Sequence, residues 1–194
     1  MTQNCCHLRL GRLRIGRAAD LRHHARVLIV ISGLPGTGKS AVAVAVAEHL
    51  HAVYLSVDPV EDALLGAGLP AGWTTGVAAY EAVRVAAEAN MTFGWDVVVD
   101  AVNDSEIARQ TWRTASMNTG VPLTFILLAV TDVSEHRRRV EGRNRNFAKV
   151  SDPTWEQVQA RAQAYEAWLG EYEVVNADGA IADVVEAVLA RLGG

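Results

Sequence analysis

Apolar residues come in short bursts along this chain, and the bursts have the length of strands. Residues 27–32 (VLIVIS) are continuously apolar, as in a parallel strand buried on both faces. Residues 52–57, 96–100 (DVVVD), 123–130 and the shorter 173–175 repeat the signal. The segments between them read as helices. Residues 41–50 (AVAVAVAEHL) alternate Ala and Val with period two, which in isolation suggests a strand. Helix is expected all the same, because alanine is the best helix former and the preceding motif must open a helix. Further helices are predicted from Val77 to about Phe93 and from a cap at Asp104 or Ser105 to about Asn118. Three more are expected: over 134–141, from Pro153 to about Leu169, and over 181–192. A Gly- and Pro-rich loop is expected after Asp58, carrying Gly66, Gly68, Pro70, Gly72 and Gly76. Strands alternating with helices imply an α/β fold, a mainly parallel five-stranded sheet covered on both faces.

The first strand runs into Gly33-Leu-Pro35-Gly36-Thr37-Gly38-Lys39-Ser40, a complete G-x-x-x-x-G-K-S. Its glycines let backbone N–H groups turn inward around phosphate oxygens, and the helix that follows points its positive end at them. Lys39 is placed to reach the β- and γ-phosphates, and the Ser40 hydroxyl to ligate Mg²⁺. One of only two lysines in the chain falls on the required position. The expected ligands are therefore ATP and Mg²⁺, although no motif fixes adenine over guanine.

Ligands in open parallel folds sit beyond the carboxyl ends of the strands. Gly33, Asp58 and Asp100 all fall at or just after such ends, so they should converge. Two readings stand for Asp58. It orients an acceptor hydroxyl and takes its proton, or it is a turn aspartate ahead of Pro59. Glu61 and Asp62 follow closely as substitutes, or as a solvated acidic turn. Asp100 ends the most apolar strand, where an acid holds Mg²⁺ or its water shell or merely bonds loop amides. Asp96 reads as a turn residue. Past the fourth strand, Arg137, Arg138, Arg139, Arg143 and Arg145 form a basic run. On a helix Arg139 and Arg143 would share one face, and they are candidates for a lid over the γ-phosphate or part of a solvated basic face. Arg137 and Arg138 read as solvated charge.

Together these residues resemble the small P-loop kinases grouped as AAA-like ATP-binding kinases, which include polynucleotide kinase domains and chloramphenicol phosphotransferases. The resemblance covers about Val27 to Leu192. Asp58 matches the family aspartate after strand two. Asp100, Asn103, Arg109 and Trp112 match a strand-end Asp, a polar residue and an Arg-x-x-Trp helix. Arg139, Val140 and Arg143 match the lid, and Trp155, Tyr165 and Trp168 match aromatics on a late helix. The resemblance implies a three-layer P-loop NTPase sandwich with a short arginine-bearing lid. It also implies Lys39, Asp58, Arg139 and Arg143 as catalytic residues. Polynucleotide kinases carry Asp-x-x-Arg after strand two, and here Glu61 replaces that Arg. The segment Val57-Asp58-Pro59-Val60-Glu61-Asp62-Ala63 is similar instead to the chloramphenicol phosphotransferase pattern Val-Asp-x-x-x-Asp-Ala. The implied activity is transfer of the γ-phosphate to a hydroxyl of a small, antibiotic-like or metabolite alcohol. A nucleoside, nucleotide or polynucleotide 5′-hydroxyl kinase is the alternative, and an ATP-binding regulatory module is the alternative of another class. Trp73 and Tyr80 either stack on the acceptor or pack.

Composition adds three points. The chain has 194 residues, half of them hydrophobic and a fifth charged, as suits one globular domain. Residues 1–26 hold six arginines against one acid, while the remainder holds twelve basic and twenty-one acidic side chains. The head is expected to be a poorly ordered extension to a kinase domain over 27–194, and the acidic body argues against nucleic acid as a partner. No apolar run approaches the ~18 residues of a membrane span. Cys5 and Cys6 are the only cysteines, so no disulfide framework exists and a reducing cytoplasm fits.

Overall fold

A computed structural model describes residues 26–145 and 147–193. Its strands are β1 (Leu28–Ser32), β2 (Val53–Ser56), β3 (Val97–Asp100), β4 (Leu123–Ala129) and β5 (Glu173–Asn176). They form one parallel sheet in the order β2-β3-β1-β4-β5. The helices are α1 (Lys39–Leu50), α2 (Val57–Gly66), α3 (Trp73–Thr92), α4 (Glu106–Thr119), α5 (Val133–Glu141), α6 (Trp155–Ala164) and α7 (Ile181–Leu192). The expected basic head lies outside the described residues up to position 25. Arg26 at its end donates to the Met91 carbonyl at 2.7 Å.

Strand side chains alternate between faces, so the sheet builds two cores. Leu28, Val30, Val97 and Val99 pack with Val83 and Met91 of α3 and Trp112 of α4. Ile29, Ile31 and Val98 pack with Val42 and Val46 of α1 and Val184 and Val188 of α7. β1 and β3 are wholly buried, which is why they read as unbroken apolar runs. Asp96 accepts from the Val27 N–H at 2.8 Å and so fixes the entry to β1. Among the described residues, no helix is long and apolar enough to cross a membrane.

Three boundaries depart from the expectation. The stretch after β2 is helical from Val57, so Asp58 lies in the first turn of α2 and not in a loop. Pro59 points to a turn when taken alone, but proline is tolerated in the first turn of a helix, whose N–H groups have no intrahelical partner. α3 begins at Trp73, four residues early, and carries Gly76 inside it. α6 ends at Ala164 instead of running to Leu169, so Tyr165 and Trp168 are not helical. The reason is Arg109, which is fully buried and draws this segment onto α4. Its guanidinium donates to the carbonyls of Glu166 at 2.6 Å and Ala167 at 2.8 Å and lies 4.2 Å from the Trp168 ring centre.

Candidate active site

The Gly-rich segment turns sharply between β1 and α1. Gly33 has φ 146°, and a side chain there would put its Cβ 2.7 Å from the Leu128 carbonyl oxygen. A Cβ on Gly36 would stand 2.5 Å from Val140 and 3.1 Å from the His136 ring. α5 therefore rests directly on the loop, and His136 Nε2 donates to the Pro35 carbonyl at 2.8 Å. Thr37 Oγ1 donates to the Leu34 carbonyl at 2.9 Å. Gly38 caps α1, whose first turn carries Lys39 and Ser40. The resulting hollow is lined by Gly36, Gly38, Lys39, Ser40, Ala41 and three arginines, 139, 143 and 145.

Lys39 is only 3% exposed. Burial lowers its pKa, Asp100 and then Asp58 draw it back up, and Arg143 and Arg145 lower it again. An arriving polyphosphate would supply the negative charge that this site lacks. Asp100 is as buried as Lys39. Its Oδ2 accepts from Tyr54 Oη and Ser56 Oγ, both at 3.3 Å, while Oδ1 is buried without a partner. Burial, and after it Asp100, pushes the Tyr54 phenol up to about 12, so Tyr54 stays a donor. An orphaned carboxylate oxygen facing the P-loop lysine fits Mg²⁺ or its water shell, with Ser40 as the other protein oxygen. Among the described residues no three His, Cys, Asp or Glu side chains cluster as a metal cage. The donor set therefore suits an ion that keeps most of its oxygens from water and phosphate.

Asp58 is ion-paired with Arg145 and faces two spaces. One, of about 460 Å³, joins it to Pro35, Arg143 and Arg145 on the phosphate side. The other, of about 260 Å³, lies between α2, α3 and the start of α4. Tyr80 forms part of that second wall. It is held by the Asn103 N–H, which donates to its hydroxyl at 3.2 Å, and by Trp112 at 5.8 Å between ring centres. Trp73 stands at the edge, 67% exposed.

The arginines expected over the γ-phosphate divide. Arg139 is engaged by Glu135 at 2.7 Å and by the carbonyls of Ala177 and Asp178 at 2.7 and 3.1 Å. Arg143 has Asp152 at 3.6 Å, and burial, followed by Arg145, lowers its pKa. Arg145 was given no role by the sequence, yet it bridges Asp58 and Asp152 and lines the phosphate hollow. α5 stops at Glu141, so helical phase reaches neither Arg145 nor Arg143, and Arg143 does not share a helix face with Arg139 as expected. Arg137 and Arg138 pair with Glu141 and Glu135 on the exposed face, as expected. Asp62 also gains a role. Its carboxylate accepts the backbone N–H groups of Ala148, Lys149 and Val150 at 3.2, 2.7 and 2.8 Å, and these bonds hold its pKa down. One helix thus grips the segment beyond the lid helix at two points, Asp58 and Asp62.

Asn103, Arg109 and Trp112 form a buried brace outside the hollow. Asn103 sits at φ 55° and donates from Nδ2 to Ser32 Oγ at 2.8 Å. It accepts from Trp112 Nε1 at 2.7 Å and from Arg109 Nε, through its carbonyl, at 3.0 Å. The brace fixes the exit of β3 beside the exit of β1.

A phosphate-binding loop between the central strand and first helix of a parallel sheet defines the P-loop nucleotide-binding fold. The AAA domain family matches residues 28–167, and the chain belongs to that family. Among curated proteins, none matches the sequence. Several solved structures share the fold. A sugar kinase from Janibacter sp. superposes with TM-score 0.65 at 17% identity, covering 88% of this chain and 95% of its own. A gluconokinase from Sinorhizobium meliloti gives 0.62 at 22%, covering 87% and 94%. The Mycobacterium tuberculosis APS kinase in complex with AMPPNP and APS gives 0.66 at 19%, covering 88% and 99%. The fold is therefore the one used by small P-loop kinases.

Proposed function

We propose that the protein is an ATP-dependent phosphotransferase that moves the γ-phosphate to a hydroxyl of a small molecule. The observation that carries this reading is the position of Asp58. It is shared between the arginine-lined phosphate side and a second cavity of about 260 Å³. A pure nucleotide switch has no need of that second cavity. The likeness in fold to kinases of small molecules supports the same reading.

In this mechanism the loop amides and Lys39 hold the β- and γ-phosphates. Mg²⁺, when bound at Ser40 and Asp100, neutralises the charge that develops on the phosphate oxygens. An acceptor hydroxyl in the cavity points at Pγ and is oriented by Asp58. Its oxygen bonds to Pγ, the bond from Pγ to the ADP oxygen breaks, and the hydroxyl proton passes to the Asp58 carboxylate. Arg145 exchanges Asp58 for the γ-phosphate, and Arg143 and Arg139 add charge at the same place.

The test is acceptor-dependent ADP release on the full chain with Mg·ATP, against polyols, amino alcohols, sugar acids and nucleosides, with product masses measured. A product heavier than its acceptor by one phosphoryl group supports the proposal. ATP binding without a phosphorylated product from any class defeats it.

A further inference from the structure

The cavity beside Asp58 has apolar walls, including Val57, Val77, Tyr80 and Ile107, and its charges specify what kind of acceptor enters. Four carboxylates line it: Asp58, Glu61, Glu81 and Asp104. Three are already neutralised. Asp58 pairs with Arg145, Glu81 with Arg84 at 2.7 Å, and Asp104 with Arg161 at 3.1 Å. Glu61 is different. It is half-buried and has neither a hydrogen bond nor an ion pair for its carboxylate among the described residues. Burial, and after it Asp58, pushes its pKa up, while Arg161 and Arg145 draw it part of the way back, so its charge is held at a net cost.

The space beside this carboxylate is kept open. Glu61 Oε1 is 3.9 Å from the point where a Cβ on Gly76 would stand. Glycine inside a helix is unfavourable, and here its missing side chain leaves room between α2 and α3. The wall also offers two aromatic side chains, Trp73 and Tyr80. A half-buried carboxylate without an ion pair, next to aromatic rings in a partly open cleft, is complementary to an organic cation.

We infer that the acceptor is a hydroxylated amine, bound with its ammonium group against Glu61 and its hydroxyl towards Asp58. The inference rests on the phosphotransferase reading above. An alkylammonium is charged at neutral pH and brings three donors, which meet an acceptor-only carboxylate. An anionic acceptor would instead place a second negative charge beside Glu61. The amine takes no part in the bond changes and keeps its proton. The hydroxyl oxygen gains Pγ, ADP leaves, and the hydroxyl proton goes to Asp58.

The experiment uses the full chain with Mg·ATP and charge-matched pairs. The probes are aminosugars, aminocyclitols and aryl amino alcohols, each beside its N-acetyl counterpart, with gluconate as the anion. At least one free amine should be phosphorylated, and its N-acetylation should raise KM about tenfold or more, the worth of a hydrogen bond to a charged group. Glu61→Gln should raise KM for that amine by about the same factor while kcat and the KM for ATP stay within about threefold. The wild-type comparison stands even where that variant folds poorly. If neutral or anionic acceptors are preferred throughout, or if Glu61→Gln keeps the full wild-type preference for an amine over its N-acetyl form, the charge assignment is overturned and the phosphotransferase reading survives. If ATP binds and nothing is phosphorylated, both fall.

Discussion

The two halves of the site are built on different principles. The phosphate cradle is made from consecutive residues, chiefly backbone, and two of its glycines stand where any side chain would collide with Leu128 or Val140. The cavity proposed for the acceptor is made from side chains of α2, α3, α4 and α6 and the residues after β3, brought together across more than a hundred positions. A cradle of backbone amides recognises what every nucleoside triphosphate shares. A cavity of side chains recognises what one acceptor has and another lacks, and it changes with single substitutions. On the proposed reading, chemistry common to a family sits on the rigid half, and specificity sits on the replaceable half.

Substitutions should respect that division. Lys39→Ala removes a cradle charge and should lower turnover about 10³-fold with every acceptor alike. Steady-state ADP release with two unrelated acceptors checks this, and unequal losses would dissolve the distinction between the halves. Asp58→Asn lies on the border. Acceptor-dependent turnover should fall about 10²-fold while the dissociation constant for Mg·ATP hardly moves. If ATP binding falls as steeply, Asp58 belongs to the cradle.

Asp62→Ala sharpens the comparison further. Asp62 lines neither space itself, but its loss frees the N–H groups of residues 148–150, and should lower kcat/KM about tenfold through looser placement of Arg145. A hydrogen-exchange measurement should show faster exchange at 147–150 and unchanged exchange in α1. The smallest effect concerns pH. The folded state lowers the Lys39 pKa, so it binds protons less readily there than the unfolded chain. Below the folded value, burying the charge destabilises the protein. That cost fades as pH rises through the folded value towards 10.5. Lys39→Met should therefore have the higher Tm near neutrality, and the gap should shrink in alkaline buffer. A gap that widens with pH would mean that the lysine charge is stabilised in the fold.

The sequence carried the cradle and much of the frame. α7 spans Ile181–Leu192 as read, because one clean amphipathic stripe ends the chain. The helix over the Ala/Val alternation was found only because the P-loop demanded it. α2 was lost to Pro59 and the glycines behind it, since turn residues outweigh a short helix when read locally. Asp62 and Arg145 were legible as charges and not as partners. The N–H groups that Asp62 accepts lie 86 to 88 residues away, and no periodicity reaches that far. Asn103, Arg109 and Trp112 were visible through the family resemblance, yet their work is mechanical. They tie Ser32, Glu166 and Ala167 to one another.

The pairing of β3 sets a frame of its own. Asp100 stands level with Ile31 on one side and Ser56 on the other. Val98, two residues earlier, faces α1, while Val97 and Val99 face α3 and α4. Asp100 shares the parity of Val98, and this alone turns its carboxylate towards the helix that bears Lys39. A single apolar residue inserted between Asp96 and Asp100 would leave the charge and the P-loop motif untouched. It would rotate the acid to the opposite side of the sheet, onto the face where Val97, Val99 and Ala101 pack. The spacing along this one strand is thus as much a part of the site as the aspartate itself.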